Sequence, residues 1–147
     1  MRIAVGCDHR GIKVKKLVTE LLTRAGYSYQ DFGAFSTDPV DYPDIAREVA
    51  HTVRDEDFDC GILICGTGIG MSIAANKVRG IRAANCHNAF SAYRARLHND
   101  ANILCLAAEE GSALIPAILE KFLTTEFEGG RHQKRLDKVS VMEKEES

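Results

Sequence analysis

The chain has 147 residues, enough to bury a full hydrophobic core in one domain spanning 1–147. Its 45% hydrophobic and 27% charged content is ordinary for a globular protein, and a formal net charge of −2 gives no electrostatic footing for nucleic acid or an anionic membrane. No apolar run is long enough to span a bilayer, and the opening Met1-Arg2-Ile3-Ala4-Val5 lacks the apolar core and cleavage site of a signal peptide. A cytoplasmic protein with neither nucleic-acid nor membrane partner is expected.

Residues 2–6 read as a first strand, followed by the short loop Cys7-Asp8-His9-Arg10-Gly11. Residues 12–24 read as an amphipathic helix, and Gly26 is a natural stop. A second strand is expected over 27–32. Residues 33–43 form a polar loop with two prolines, long enough to carry function. Pro43 suits the first turn of a helix running to about residue 54. Ile62, Leu63 and Ile64 then make a short continuous apolar run, the pattern of a strand covered on both faces.

Gly66, Gly68 and Gly70 follow, and residues 72–77 are good helix material. A strand, a glycine turn and a helix in succession can present orphan backbone N–H groups to an anion. A thiol, Cys65, stands at the mouth of this turn, with the hydroxyl of Thr67 two residues on. The turn is not a dinucleotide fingerprint, because the third glycine comes one residue too soon. It is not a P-loop either, since no Gly-Lys-Ser/Thr follows.

Residues 81–85 read as a fourth strand and 88–97 as a helix ending at His98-Asn99-Asp100. Residues 102–106 read as a fifth strand and 112–123 as a helix. The segment from Gly129 carries Arg131, His132, Lys134 and Arg135 and is expected to hold a last short helix. Residues 138–147 read as a charged, frayed tail. Strands alternating with helices predict a three-layer α/β/α, Rossmann-like domain with a five-stranded parallel sheet and a C-terminal helical tail. Ligands of such sheets bind beyond the carboxyl ends of the strands. If strands one and three are neighbours, Asp8, His9 and Cys65 share one crevice, which favours a sheet order beginning 2-1-3.

The five cysteines (Cys7, Cys60, Cys65, Cys86, Cys105) are odd in number and contain no Cys-x-x-Cys pair, which points to reduced thiols. The five histidines show no metal-ligand spacing, so no metal is expected. Each remaining candidate has a functional and a structural role open to it. Asp8 and His9 can bind sugar hydroxyls, or Asp8 can cap the next helix. Tyr42 can close over a ligand or lie on the core. His98 can act as an acid–base group or simply favour a helix C-terminus. Asn99 can bond a ligand or end the helix in a left-handed conformation. Arg131, Lys134 and Arg135 can hold a phosphate or form a solvated basic face. Together they supply a base, an anion hole, a second acid–base group and a phosphate clamp. That set fits proton transfer beside a carbonyl on a small phosphorylated substrate.

The stretches Gly6-Cys7-Asp8-His9, Asp41-Tyr42-Pro43, Cys65-Gly66-Thr67-Gly68-Ile69-Gly70, His98-Asn99-Asp100-Ala101-Asn102 and Glu128-Gly129-Gly130-Arg131-His132 occur in this order. In these the chain resembles the ribose-5-phosphate isomerase B (RpiB/LacAB) family of sugar-phosphate isomerases. The resemblance implies a cofactor-free aldose–ketose isomerase interconverting ribose 5-phosphate and ribulose 5-phosphate through a cis-enediolate. It implies Cys65 as the base that moves the carbon-bound proton, with Thr67 assisting between the oxygens. His98 would help open the sugar ring, with Asp8 near its oxygens. The backbone of Gly66, Gly68, Ile69 and Gly70 would hold the enediolate, and His9, Arg131 and Arg135 the phosphate, with Tyr42 and Asn99 also at the substrate. It further implies a homodimer with shared sites, or a tetramer. Many relatives carry an arginine after the fifth strand, where this chain reads Ala107-Ala108-Glu109-Glu110. That departure leaves another sugar, such as allose 6-phosphate, as the alternative substrate, and a non-catalytic sugar-phosphate-binding module as a further alternative.

Overall fold

The computed structural model describes residues 1–146. Five strands, β1 (Arg2–Cys7), β2 (Ser28–Asp31), β3 (Cys60–Cys65), β4 (Ala83–Asn85) and β5 (Ile103–Ala107), form one parallel sheet in the order β2-β1-β3-β5-β4. The expected 2-1-3 beginning is present. Six helices accompany them: α1 (Ile12–Arg24), α2 (Tyr42–Asp55), α3 (Ile69–Ala75), α4 (Ala89–Leu97), α5 (Ile115–Thr124) and α6 (Arg131–Glu145). Among the described residues no helix is long and apolar enough to cross a membrane.

Side chains alternate across a strand, so one sheet builds two cores. Ile3, Val5, Ile62, Ile64, Leu104 and Leu106 face one side, under residues of α1, α4 and α5. Ala4, Leu63, Cys65, Ile103 and Cys105 face the other, under α2 and α3. Each fully buried Ile or Leu contributes about 2 kcal/mol. Helix α2 lies close on the sheet because Gly6 and Gly61 leave room for it. A Cβ on Gly6 would meet Ile45 at 2.7 Å, and one on Gly61 would meet Val49 at 3.0 Å.

Several boundaries differ from the sequence expectation. Helix α3 starts at Ile69 rather than residue 72, so the glycine turn is tighter than expected and Gly70 is already helical. A single 3-10 turn, Ala108–Glu110, follows β5 before α5 begins. The expected short last helix and frayed tail are instead one continuous 15-residue helix, α6 (the final Ser147 lies outside the described residues). The helix runs on because polar pairs hold it. Gln133 donates to Asp137 one turn on at 2.8 Å, and Glu143 accepts from the backbone N–H of Gly80 at 2.9 Å. His132 is its one buried residue, and Val139, Val141 and Met142 stand exposed.

Candidate active site

A crevice of about 770 Å³ opens beyond the carboxyl ends of β1 and β3. The loop after β1 forms one wall. Asp8 is buried; its N–H donates to Ile64 O at 3.1 Å and its Oδ1 accepts from the N–H of Arg10 at 2.9 Å. Asp8 therefore turns the loop and does not cap α1, whose N-cap is Gly11. His9 Nδ1 accepts from the N–H of Val40 at 3.2 Å, which leaves Nε2–H as the ring's donor. Tyr42 opens α2 and lays its ring against Gly70, where a Cβ would approach the ring to 2.7 Å.

The glycine turn forms the floor. Cys65, 5% exposed, ends β3, and its Sγ accepts a hydrogen bond from the N–H of Gly68 at 3.2 Å. Gly68 has φ +78°, a left-handed conformation that suits glycine. The Thr67 hydroxyl accepts from the N–H of Ile69 at 3.2 Å. The expected open anion hole is thus partly filled: Gly68 serves the thiol and Ile69 serves the hydroxyl. An orphan N–H in such a turn is costly, and the nearest polar side chains satisfy it. Asn85 reaches across from β4 to the carbonyl of Thr67 at 3.4 Å, and its own Oδ1 is buried without a hydrogen-bond partner.

Among the five thiols only Cys65 faces this crevice. Burial pushes Cys7 and Cys86 up to about 11 and Cys60 up to about 12. It drives Cys105 well above the ordinary range. Those four stay protonated near neutrality and cannot serve as bases.

The other half of the expected site lies elsewhere. His98 caps the C-terminus of α4, with Nδ1 3.4 Å from Arg94 Nη1. Its ring stacks on that of His132, centroids 4.0 Å apart and planes 14° apart. Both Nε2 atoms face Glu128 Oε2, at 3.6 and 3.9 Å. Burial first, then the charges of His98 and Arg131, hold the His132 pKa below 6.5. By donor type His98, Glu128 and His132 could take a metal, contrary to the expectation from spacing. A metal must lie near the plane of each imidazole that binds it, and two nearly parallel rings share no such point. Arg131 and Arg135 add positive charge around His132, which suits an anion better than a cation.

Strand register shows how far apart the two halves are. Gly61 pairs with Ile103 and Cys65 with Ala107. Ile103, which opens β5, therefore lies about 13 Å along the strands from the level of Cys65, and His98 comes before it, at the opposite end of the sheet. Arg131 opens α6 beside His98. Asn99 lines a separate, larger hollow of about 980 Å³, whose lining mixes Leu136, Val139 and Met142 with Lys77, Arg79, Arg82 and Glu143. The residue that ends α4 in a left-handed conformation is Asp100, φ 46°, not Asn99. One chain therefore gathers Asp8, His9, Tyr42, Cys65, Gly66, Thr67, Ile69 and Gly70 around the crevice, with Gly68 beneath the thiol. It does not gather His98, Asn99, Arg131 or Arg135 there.

Residues 3–139 match the family model described as Ribose/Galactose Isomerase. The chain belongs to the ribose/galactose isomerase family. A relative from Listeria innocua named ribose-5-P isomerase B is 46% identical over 138 residues, 93% of each chain. A D-erythrulose-4-phosphate isomerase from Pectobacterium atrosepticum is 42% identical over 99% of this chain and 97% of its own. The structure of Clostridium thermocellum ribose-5-phosphate isomerase B superposes with a TM-score of 0.98 at 47% identity, covering both chains completely. The sugar-phosphate isomerase family assignment thus agrees with a crevice built around a thiol, a hydroxyl and a glycine turn.

Several residues of the crevice were not expected from the sequence, Arg10 and Asp44 among them. Arg10 lines it and pairs with Glu109 at 2.8 Å. Its position directly after Asp8-His9 was the signal available, since that tripeptide leaves the end of a buried strand.

Proposed function

We propose that the protein interconverts ribose 5-phosphate and ribulose 5-phosphate without a cofactor. The observation that carries this reading is the Cys65 thiol, facing the crevice with the Gly68 N–H aimed at its sulfur. That amide presents its partial positive charge to the sulfur that this reading uses as the base. In the open-chain aldose the thiolate takes the proton from C2, and the electron pair moves to make an enediolate on O1. O1 then gains a proton and O2 loses one, with the Thr67 hydroxyl as the carrier between them. The thiol returns its proton to C1, leaving a ketone at C2. Stabilising the enediolate as it forms is the main catalytic demand, and it falls to the backbone N–H groups of the glycine turn other than those of Gly68 and Ile69, which serve the thiol and the Thr67 hydroxyl.

The separation of Cys65 from His98 supports a homodimer with shared sites. His98 as ring-opening acid–base, Asn99 at the sugar, and Arg131 and Arg135 at the phosphate would come to each crevice from a second copy. Exposed Ile69 and Ile73 beside the crevice, with Val139, Val141 and Met142 on α6, give that copy apolar surface to cover.

A second reading concerns the sugar alone. Glu109 lines the crevice, and one relative is named for a four-carbon substrate. The deciding experiment is isomerisation of ribose 5-phosphate by the purified protein. Erythrulose 4-phosphate, allose 6-phosphate and free ribose run alongside, and Cys65→Ala serves as control. Cys65-dependent turnover fastest with ribose 5-phosphate supports the main reading. Faster turnover of another sugar replaces the substrate, and equal turnover by Cys65→Ala removes the assigned base.

A further inference from the structure

The crevice lining carries the carboxylates of Asp8, Asp41, Asp44 and Glu109. Among the described residues that line it, Arg10 supplies the one Lys or Arg side chain. An anionic substrate entering such a crevice meets net negative charge unless one cation is placed to receive it.

Arg10 is placed for that. Its backbone is fixed by the hydrogen bond to Asp8, and the next residue, Gly11, is pressed against β3, where a Cβ would meet Ile64 at 2.8 Å. The side chain reaches Glu109 at 2.8 Å, and the N–H of Glu109 donates to Gly66 O at 2.9 Å. Both side chains pass over Gly66, the residue after Cys65. A Cβ on Gly66 would lie 2.7 Å from Glu109 Oε1 and 3.3 Å from Arg10 Cδ. The guanidinium therefore sits beside the floor of the crevice, one residue from His9.

The pair is also built to exchange partners. It joins one guanidinium nitrogen to one carboxylate oxygen, and the two side chains are 62% and 53% exposed. Exposed ion pairs of this kind hold weakly. A phosphate offers the same guanidinium two oxygens and a larger charge.

We infer that Arg10 recognises the phosphate of the substrate within its own chain, and that Glu109 holds the guanidinium in place until the phosphate displaces it. This inference rests on the sugar-phosphate isomerase reading above. Arg10 sets affinity for phosphorylated sugars, and Glu109 is a positioning residue that competes with the phosphate.

The test is a set of three variants, Arg10→Gln, Glu109→Gln and the double substitution, assayed with ribose 5-phosphate and with inorganic phosphate as a competitive inhibitor. Arg10→Gln should raise KM and the inhibition constant for phosphate about tenfold, with kcat within about twofold of the parent. Glu109→Gln should lower both constants a few-fold. The double variant decides between contact and mere charge balance. If Arg10 touches phosphate, both constants stay raised; if it only neutralises Glu109, they return to the parent values and the inference is overturned. Unchanged constants in Arg10→Gln overturn it equally. Should the parent turn over no sugar phosphate, the functional reading fails by itself. Calorimetric titration of the same variants with inorganic phosphate still judges Arg10.

Discussion

The backbone N–H of Gly68 points at the sulfur of Cys65 from 3.2 Å, and the left-handed backbone of Gly68 makes that approach. A side chain at this position is opposed twice. Its φ of +78° is unfavourable for an L-residue, and a Cβ would run into Asn85 Oδ1 and come within 3.2 Å of the Leu106 backbone. Gly68→Ala is expected to cost about 1–3 kcal/mol of stability. It should also lower turnover more than Gly26→Ala, another positive-φ site with open space around it. Urea melts and steady-state rates on both variants check this. Equal rate losses would mean that the Gly68 amide does nothing for the thiol.

Thiol chemistry should single out Cys65. Burial places Cys7 and Cys86 at about 11 and Cys60 at about 12, with Cys105 raised further. At pH 8 a thiol of pKa 11 is only about one part in a thousand thiolate. Brief iodoacetamide treatment at pH 8 is expected to label Cys65 first, and phosphate should slow that labelling. Peptide mass spectrometry reads the order. Earlier labelling of any of the other four would contradict it.

Shared sites would make two inactive variants complement each other. Cys65→Ala leaves one half of the site intact and His98→Gln the other. Mixed at equal amounts, unfolded and refolded together, they should recover about a quarter of the parent activity, because half the dimers are mixed and each has one whole site. No recovery, with mixed dimers demonstrated by mass, would place both residues' work within one chain.

His132 should titrate below the usual histidine range, because burial and then the charges of His98 and Arg131 disfavour its protonated form. The unfolded chain then binds more protons than the folded one as pH falls below about 6.5, so stability declines through that window and levels off beneath the folded midpoint. NMR titration of the His132 ring gives the midpoint, and Arg131→Gln should raise it. Thermal melts from pH 7 to 5 should decline less in His132→Asn. A midpoint at or above 6.5 would refute the assignment.

What could be read along the chain was local. The apolar run Ile62-Leu63-Ile64 needs no partner to be recognised as a doubly covered strand, and the glycines at 66, 68 and 70 mark a turn by their own backbone freedom. With Cys65 and Thr67 they place the reactive groups within six residues, so folding cannot separate them. The alternation of strands with helices likewise determines a parallel sheet, because each crossover returns the chain to the same end.

Tertiary structure decided what lies far apart in sequence. Inserting β5 between β3 and β4 sets the register that puts His98 at the end of the sheet opposite Cys65. The pairing of Arg10 with Glu109 links residues 99 positions apart, and no pattern within either segment announces it. The length of α6 also escaped, since a polar helix lacks the apolar stripe that reveals most helices, and its support from Gly80 comes from elsewhere in the fold. Periodicity and turn chemistry act over a few residues, whereas the neighbours of a side chain depend on where distant strands pair. The sequence alone therefore determined the thiol, the turn and the sheet, and the fold decided which charges and imidazoles stand beside them.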